Sequence, residues 1–458
     1  MATQTLADWV DQLHFEVIPH SAVQAAVRSF ANYVGCAIGG IQHEATQDLI
    51  RSYAALGGGS ECSLLLGNGA KVDPSQAALV NAFAAHLHDY DDTHLATVIH
   101  PTAAVASALL AYTGYLSSNG KSVNGKAFVT ALAAGMEAEC LLGLAVYPSH
   151  YDLGWHITGS VGSVGAAIAV GKAMNLTKEK LVNAIGLASA QVAGMRRHFG
   201  SHGKPLGVAL AAQAGLQAAF LAQGGMTAAQ DSLEGKRGWI ECVCPQHGEA
   251  KTLFDKHLGS LWDGTGVDDD KKWEVEKNAF KPFPCGIVIH PIIDGCSQLR
   301  ADGVMEDAIE SIELFVHPLV LELTGKKTPK DGLEAKFSVY HGAACGILYG
   351  KATPAEYTDE VVRATEPLRK KITATVDDKM RSDACLIVVH SKSGRVETLV
   401  EHAVGSLAHP MTDEQLRTKF EDQCSIMIGA RAASDLFSSL MDVIKTPNID
   451  SIIHSKSL

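Results

Sequence analysis

The chain has 458 residues, 47% of them hydrophobic and 19% charged, and a formal net charge of −12. This composition belongs to a folded globular protein and excludes a disordered or low-complexity one. The acidic balance opposes nucleic acid and anionic lipid as partners through long-range repulsion. An anionic substrate would need a local cationic pocket.

The N-terminal stretch "MATQTLADWVDQLHFEV" carries acidic residues and no arginine, so neither a signal peptide nor a mitochondrial presequence is expected. Residues 1 to about 260 read as mostly helical, with Ala-rich segments such as "SAVQAAVRSFANYVGCAIGG", "PTAAVASALLAYTGYL", "GKAFVTALAAGMEAECLLGLAV" and "PLGVALAAQAGLQAAFLAQGG". Several are apolar nearly all round and should be buried between other helices. None reads as clean enough to span a membrane. At "DGTGVDDDKKWEVEKNAFKPFPCG" charge rises and Ala thins out, which places a boundary near residues 263–275.

Beyond it, "SIELFVHPLV" alternates like a strand, and "GLEAKFSVYHGAACGILYG" and "TPAEYTDEVVRATEPL" read as helical. "ACLIVVHSKSGRVETLVEHAVG" predicts a β-hairpin with Ser393-Gly394 in its turn. "MTDEQLRTKFEDQC" opens a helix with Thr412 as N-cap and Gln415 closing a capping box. The fold class is therefore mainly α with a smaller α+β domain: helical over 1–268, α+β over 269–404, and a helical return over 405–458. The ten cysteines are scattered and include no CxxC pair, and the chain ends in Lys-Ser-Leu rather than the peroxisomal Ser-Lys-Leu. Reduced thiols and a cytoplasmic location are the expectation.

Three helix starts share one layout. His100 stands before Pro101, His156 just ahead of Thr158, and Lys204 before Pro205. A helix N-terminus offers unpaired N–H groups and positive potential, which suit carboxylates. Arg196 and Arg197 lie just upstream of Lys204. If the three starts converge, the pocket suits a substrate with two or three carboxylates. Taken singly, each start reads equally well as a simple cap, and Arg196-Arg197 as a solvated pair. In "HLHDYDDTHLATVIHP", three aspartates crowd with four histidines. Those residue types suit Zn or Mn, but no HExxH or EF-hand spacing accompanies them, so no metal is expected. No GxSxG, P-loop or GxGxxG pattern is present.

In this order and spacing, "HDYDDTHLATVIHPTAAV", "GWHITGSVGSVGAA", "FGSHGKPL" and "FKPFPCGIVIHPIIDG" resemble the MmgE/PrpD family. Its members include 2-methylcitrate dehydratase, cis-aconitate decarboxylase and iminodisuccinate epimerase. The resemblance covers nearly the whole chain. It implies a helical domain built from the N-terminal part and the C-terminal tail, an α+β lid inserted between them, a homodimer, and no metal or organic cofactor. By motif it implies active-site roles for Asp89 and Thr93 of "DYDDT", His100 of "HP" and His156 of "GWH". Lys204 of "GKP" falls on a substrate-binding lysine and Lys281 of "FKPFP" on a basic position of the lid.

Two departures accompany the resemblance. Leu323 stands where the decarboxylases carry a lid tyrosine, and Cys285 and Gly286 stand near their lid histidine. The expected activity is dehydration of a citrate-like tricarboxylate, 2-methylcitrate or another 2-alkylcitrate, without a cofactor. A histidine, His100 or His156, would move the proton beside a carboxylate, helped by Asp89. Lys204, Lys281, Arg196 and Arg197 would clamp carboxylates. The alternatives are decarboxylation of cis-aconitate to itaconate, and epimerisation of a substituted succinate such as iminodisuccinate, in which Cys285 becomes an acid near the pocket. Asp91, Asp92, His86 and His94 are given supporting or structural roles.

Overall fold

The computed structural model describes residues 1–57, 63–262, 272–392 and 394–454. Cys62, most of the expected boundary at 263–275, Ser393 of the hairpin turn and residues 455–458 lie outside the described residues.

The Ala-rich segments form helices, two of them capped by a polar side chain just ahead of the first turn. Asp73 accepts the Gln76 N–H ahead of Pro74–Leu87, and Asn124 accepts the Ala127 N–H ahead of Gly125–Val146. Ile157–Ala173 is central, packed against Pro101–Ser118, Gly125–Val146, Lys178–Ser189 and Gly203–Gln223. Small residues set this closeness. A Cβ on Gly135 would lie 2.5 Å from the Gly165 carbonyl oxygen, and one on Gly215 2.6 Å from that of Ser163. Only glycine permits backbones to approach so closely.

One sequence expectation needs correction. Gly125–Val146 and Gly203–Gln223 are both long and apolar enough to cross a membrane. Their apolar stretches are 94% and 67% buried inside the fold, so neighbouring helices take up that surface.

The apolar core falls into two clusters. The second gathers Ile289, Ile292 and Ile293 with Ile312, Leu314, Ile387 and Val389. Its sheet has four strands in the order Ile372–Val376, Ile309–Val316, Cys385–Ser391, Gly394–Val400. The first pair is parallel and the other two are antiparallel. Helix His290–Ala301 packs on the hairpin strands, and Val339–Tyr349 packs on that helix.

The chain then returns to the first cluster. Helices Asp413–Ile428 and Ala430–Met441 pack on His20–Gly40, and their Phe420 and Phe437 join the helical core. The Thr412–Gln415 capping box is present. Farther on, the Thr446 carbonyl accepts the Gly125 N–H at 2.9 Å. A Cβ on Gly125 would lie 1.8 Å from the Val443 carbonyl oxygen. Gly125→Ala is therefore expected to destabilise the protein by about 1–3 kcal/mol, read as a lower midpoint in chemical denaturation. An unchanged midpoint would mean that the tail does not seat there in solution.

Strand Asp92–His94 pairs antiparallel with Asn278–Phe280 and ties the Asp/His segment to the chain entering the α+β unit. Lys281 follows directly.

Candidate active site

Helix Pro74–Leu87 ends at His88, and Asp89 takes φ +52°, a left-handed conformation that Asp tolerates. From there the chain straightens into the Asp92–His94 strand, where side chains alternate. Asp91 faces His86 and His100, whereas Asp92 accepts from Thr102 and Asn278 on the other side. Burial, with Asp91 nearby, pushes the Asp92 carboxyl up to about 7. His94 is held by Thr97 and Glu274. Val98 has φ +53°, a strained conformation for a β-branched residue, and it lines the cavity described next.

The three helix starts do converge. His100 and His156 are the N-caps of Pro101–Ser118 and Ile157–Ala173, and Lys204 lies in the first turn of Gly203–Gln223. With Asp89, Thr93 and Lys281 they line one cavity of about 50 Å³. Tyr151 and Phe199 complete its helical wall, and Ile287, Val288, Leu323 and Phe337 close it from the α+β unit. The site therefore lies between the two parts of the fold.

Its charge centre is one carboxylate held by two lysines. Lys204 Nζ donates to Asp89 Oδ1 at 2.6 Å and Lys281 Nζ to the same oxygen at 2.8 Å. Lys281 also donates to the carbonyls of Asp89 and Cys285 at 3.2 Å. Burial alone would raise the Asp89 pKa, but Lys204 and Lys281 outweigh it and hold the carboxyl well below its usual range. Burial lowers Lys204, with Asp89 opposing. Two ammonium groups facing one carboxylate leave a net positive centre, which favours an anion.

His100 is oriented by its neighbours. Its Nδ1 lies 2.9 Å from the Asp92 carbonyl oxygen, 3.2 Å from Asp91 Oδ1 and 3.4 Å from Thr93 Oγ1. Acceptors on that side assign the ring proton to Nδ1. Nε2, 3.7 Å from Asp89 Oδ1, is left with a free lone pair toward the cavity. The His100 backbone N–H is fixed by Thr158 Oγ1 at 3.1 Å. The second oxygen of Asp91 takes His86 Nδ1 at 2.8 Å. Burial lowers the His100 pKa, with Asp91 partly opposing, and burial holds His156 well below the usual value. His156 packs edge-on to Phe199, and its Nδ1 has no hydrogen-bond partner among the described residues.

His86, Asp89, Asp91 and His100 also place four potential ligand atoms within 4.8 Å of one another. Lys204 and Lys281 already occupy Asp89, and their charges oppose a cation there.

The structure does not bring Arg196, Arg197 or Cys285 to the cavity. Arg196 lies over the Tyr151 ring at 3.9 Å, donates to the Tyr151 carbonyl and pairs with Glu322 at 3.0 Å. Arg197 is exposed. The Cys285 thiol lies against Tyr357, and burial pushes it up to about 12. Asp91, read from sequence as supporting, proves to be the shared partner of His86 and His100. The DxDD alternation was the signal that could have separated it from Asp92. Tyr151, Phe199 and Phe337 carried no signal, since an aromatic in an apolar stretch reads as core.

This fold and site define a mainly helical protein with a buried acid–base centre. The chain belongs to the MmgE/PrpD family: the family's N-terminal domain matches residues 4–250 and its C-terminal domain residues 283–440. The C-terminal match thus includes the tail that packs into the helical core. The chain is 27% identical over 393 residues to the cis-aconitate decarboxylase of Mus musculus, covering 82% of this chain and 76% of the relative. It is 23% identical over 401 residues to the 2-methylcitrate dehydratase of Salmonella typhimurium (strain LT2), covering 82% and 78%. It is 27% identical over 267 residues to the cis-aconitate decarboxylase of Aspergillus terreus, a match that covers 57% of this chain and spans only about half, 54%, of that relative.

Proposed function

We propose that the chain is a lyase that dehydrates a citrate-like tricarboxylate, 2-methylcitrate or another 2-alkylcitrate, with its own side chains. The observation that carries this reading is an oriented neutral histidine beside two ammonium groups in one buried cavity. A substrate carboxylate joins Asp89 Oδ1 as a partner of Lys204 and Lys281. His100 Nε2 takes the proton from the carbon next to that carboxylate, and Lys281 stabilises the charge that develops there. The electron pair from the broken C–H bond forms the double bond. The C–O bond to the hydroxyl breaks, and the hydroxyl leaves as water with a proton from Lys204, whose pKa burial lowers. Val98, Ile287, Val288 and Leu323 supply an apolar wall for the alkyl substituent.

Decarboxylation of cis-aconitate is the second reading, favoured by the names of the relatives in Mus musculus and Aspergillus terreus. Against it, Leu323 and Gly286 line the cavity at the positions where the resemblance leads one to expect a tyrosine and, nearby, a histidine. Epimerisation loses support because the Cys285 thiol faces Tyr357.

Incubating the protein with 2-methylcitrate, citrate, cis-aconitate and iminodisuccinate, and following products by NMR, tests the choice. An alkene product from 2-methylcitrate is expected. Release of CO2 from cis-aconitate, with 2-methylcitrate untouched, would overturn dehydration in favour of the second reading.

A further inference from the structure

A second cavity, of about 260 Å³, opens on the α+β unit and shares no lining residue with the first. Lys327, Lys330, Arg363, Arg369 and Lys370 line it against a single carboxylate, Glu366. That carboxylate is already paired with Lys370 at 2.8 Å. In a chain of net charge −12, the other four cations have no carboxylate within ion-pair distance among the described residues.

Exposed lysines alone would describe only a solvated face. Arg369 is different. It is 6% exposed, one of its terminal nitrogens donates to the Val362 carbonyl at 2.7 Å, and its buried Nε has no hydrogen-bond partner among the described residues. A guanidinium does not shed its proton in a protein, and a buried unpaired charge is unfavourable. An anion in the cavity would offset this charge, and the planar fork of arginine matches carboxylate and phosphate oxygens.

We propose that this cleft binds a small molecule carrying two or more carboxylate or phosphate groups. The site is separate from the proposed active site and does not depend on the reaction assigned there.

Calorimetric titration of the full-length protein with tricarballylate and with pyrophosphate, at low salt, tests it. Binding of at least one probe is expected, and the probe that binds more tightly tells carboxylate from phosphate. Lys330→Ala/Arg363→Ala removes two exposed cations and should weaken that binding at least tenfold, whereas Lys204→Met should leave it intact. Absence of binding by both probes, binding unaffected by Lys330→Ala/Arg363→Ala, or binding lost only in Lys204→Met would each overturn the proposal.

Discussion

Lys204→Met is expected to lower kcat/KM by about 10²–10³ while the protein stays folded. Methionine keeps the length of the side chain and removes its charge. The removal leaves no orphaned ion, because Asp89 retains Lys281 at 2.8 Å. A buried carboxylate stripped of every partner would be far more damaging. In the proposed mechanism the loss should therefore fall on the substrate, which forfeits one of two ammonium groups and the proton donor for its leaving hydroxyl. Steady-state kinetics beside a thermal melt separates the two effects. Near-normal turnover in a folded variant would remove Lys204 from the chemistry.

His100→Gln is expected to lower kcat by about 10²–10⁴, the range for loss of a positioned general base. The pH dependence follows from the same geometry. His100 must be neutral to accept a proton, and burial places its folded pKa below the usual 6.5. Activity should be full above that value and fall as pH drops through the lowered folded pKa. Asp91 raises that pKa through its charge and its contact with Nδ1. Asp91→Asn should therefore move the acid limb of kcat/KM to still lower pH and reduce the rate, although Asp91 is a positioning residue. A merely structural role would lower stability and leave the limb in place.

Much of this architecture is local in origin and so was legible in the chain. Pro101, Thr412 and Gln415 act within a turn of their own helix, and the structure bears out each of them. The helix starts at His100, His156 and Lys204 converge as their shared layout suggested, and Asp89, placed by the family resemblance, lines the same cavity. What the chain did not disclose depends on tertiary neighbours. Arg196 has the right charge and lies near Lys204 in sequence, yet the Tyr151 ring and Glu322 hold it away. Cys285 lies four residues from Lys281 but offers it only a carbonyl, its thiol buried against Tyr357. The left-handed turn at Asp89 aims one aspartate at two lysines and the next at two histidines, which spacing alone does not fix. Lys336 was passed over altogether. It is buried against the His88 carbonyl at 2.7 Å, and burial pushes its pKa down to about 7.

Cleavage of the C–H bond beside the carboxylate, the central step of the proposed mechanism, is most directly read from competition between 2-methylcitrate and the same acid deuterated at the carbon from which the proton leaves. The unlabelled molecule should be consumed faster by the wild-type protein, because its C–H bond breaks in the step that commits it to product. Equal consumption of the two, or product formed with that bond intact, would contradict the proposed mechanism.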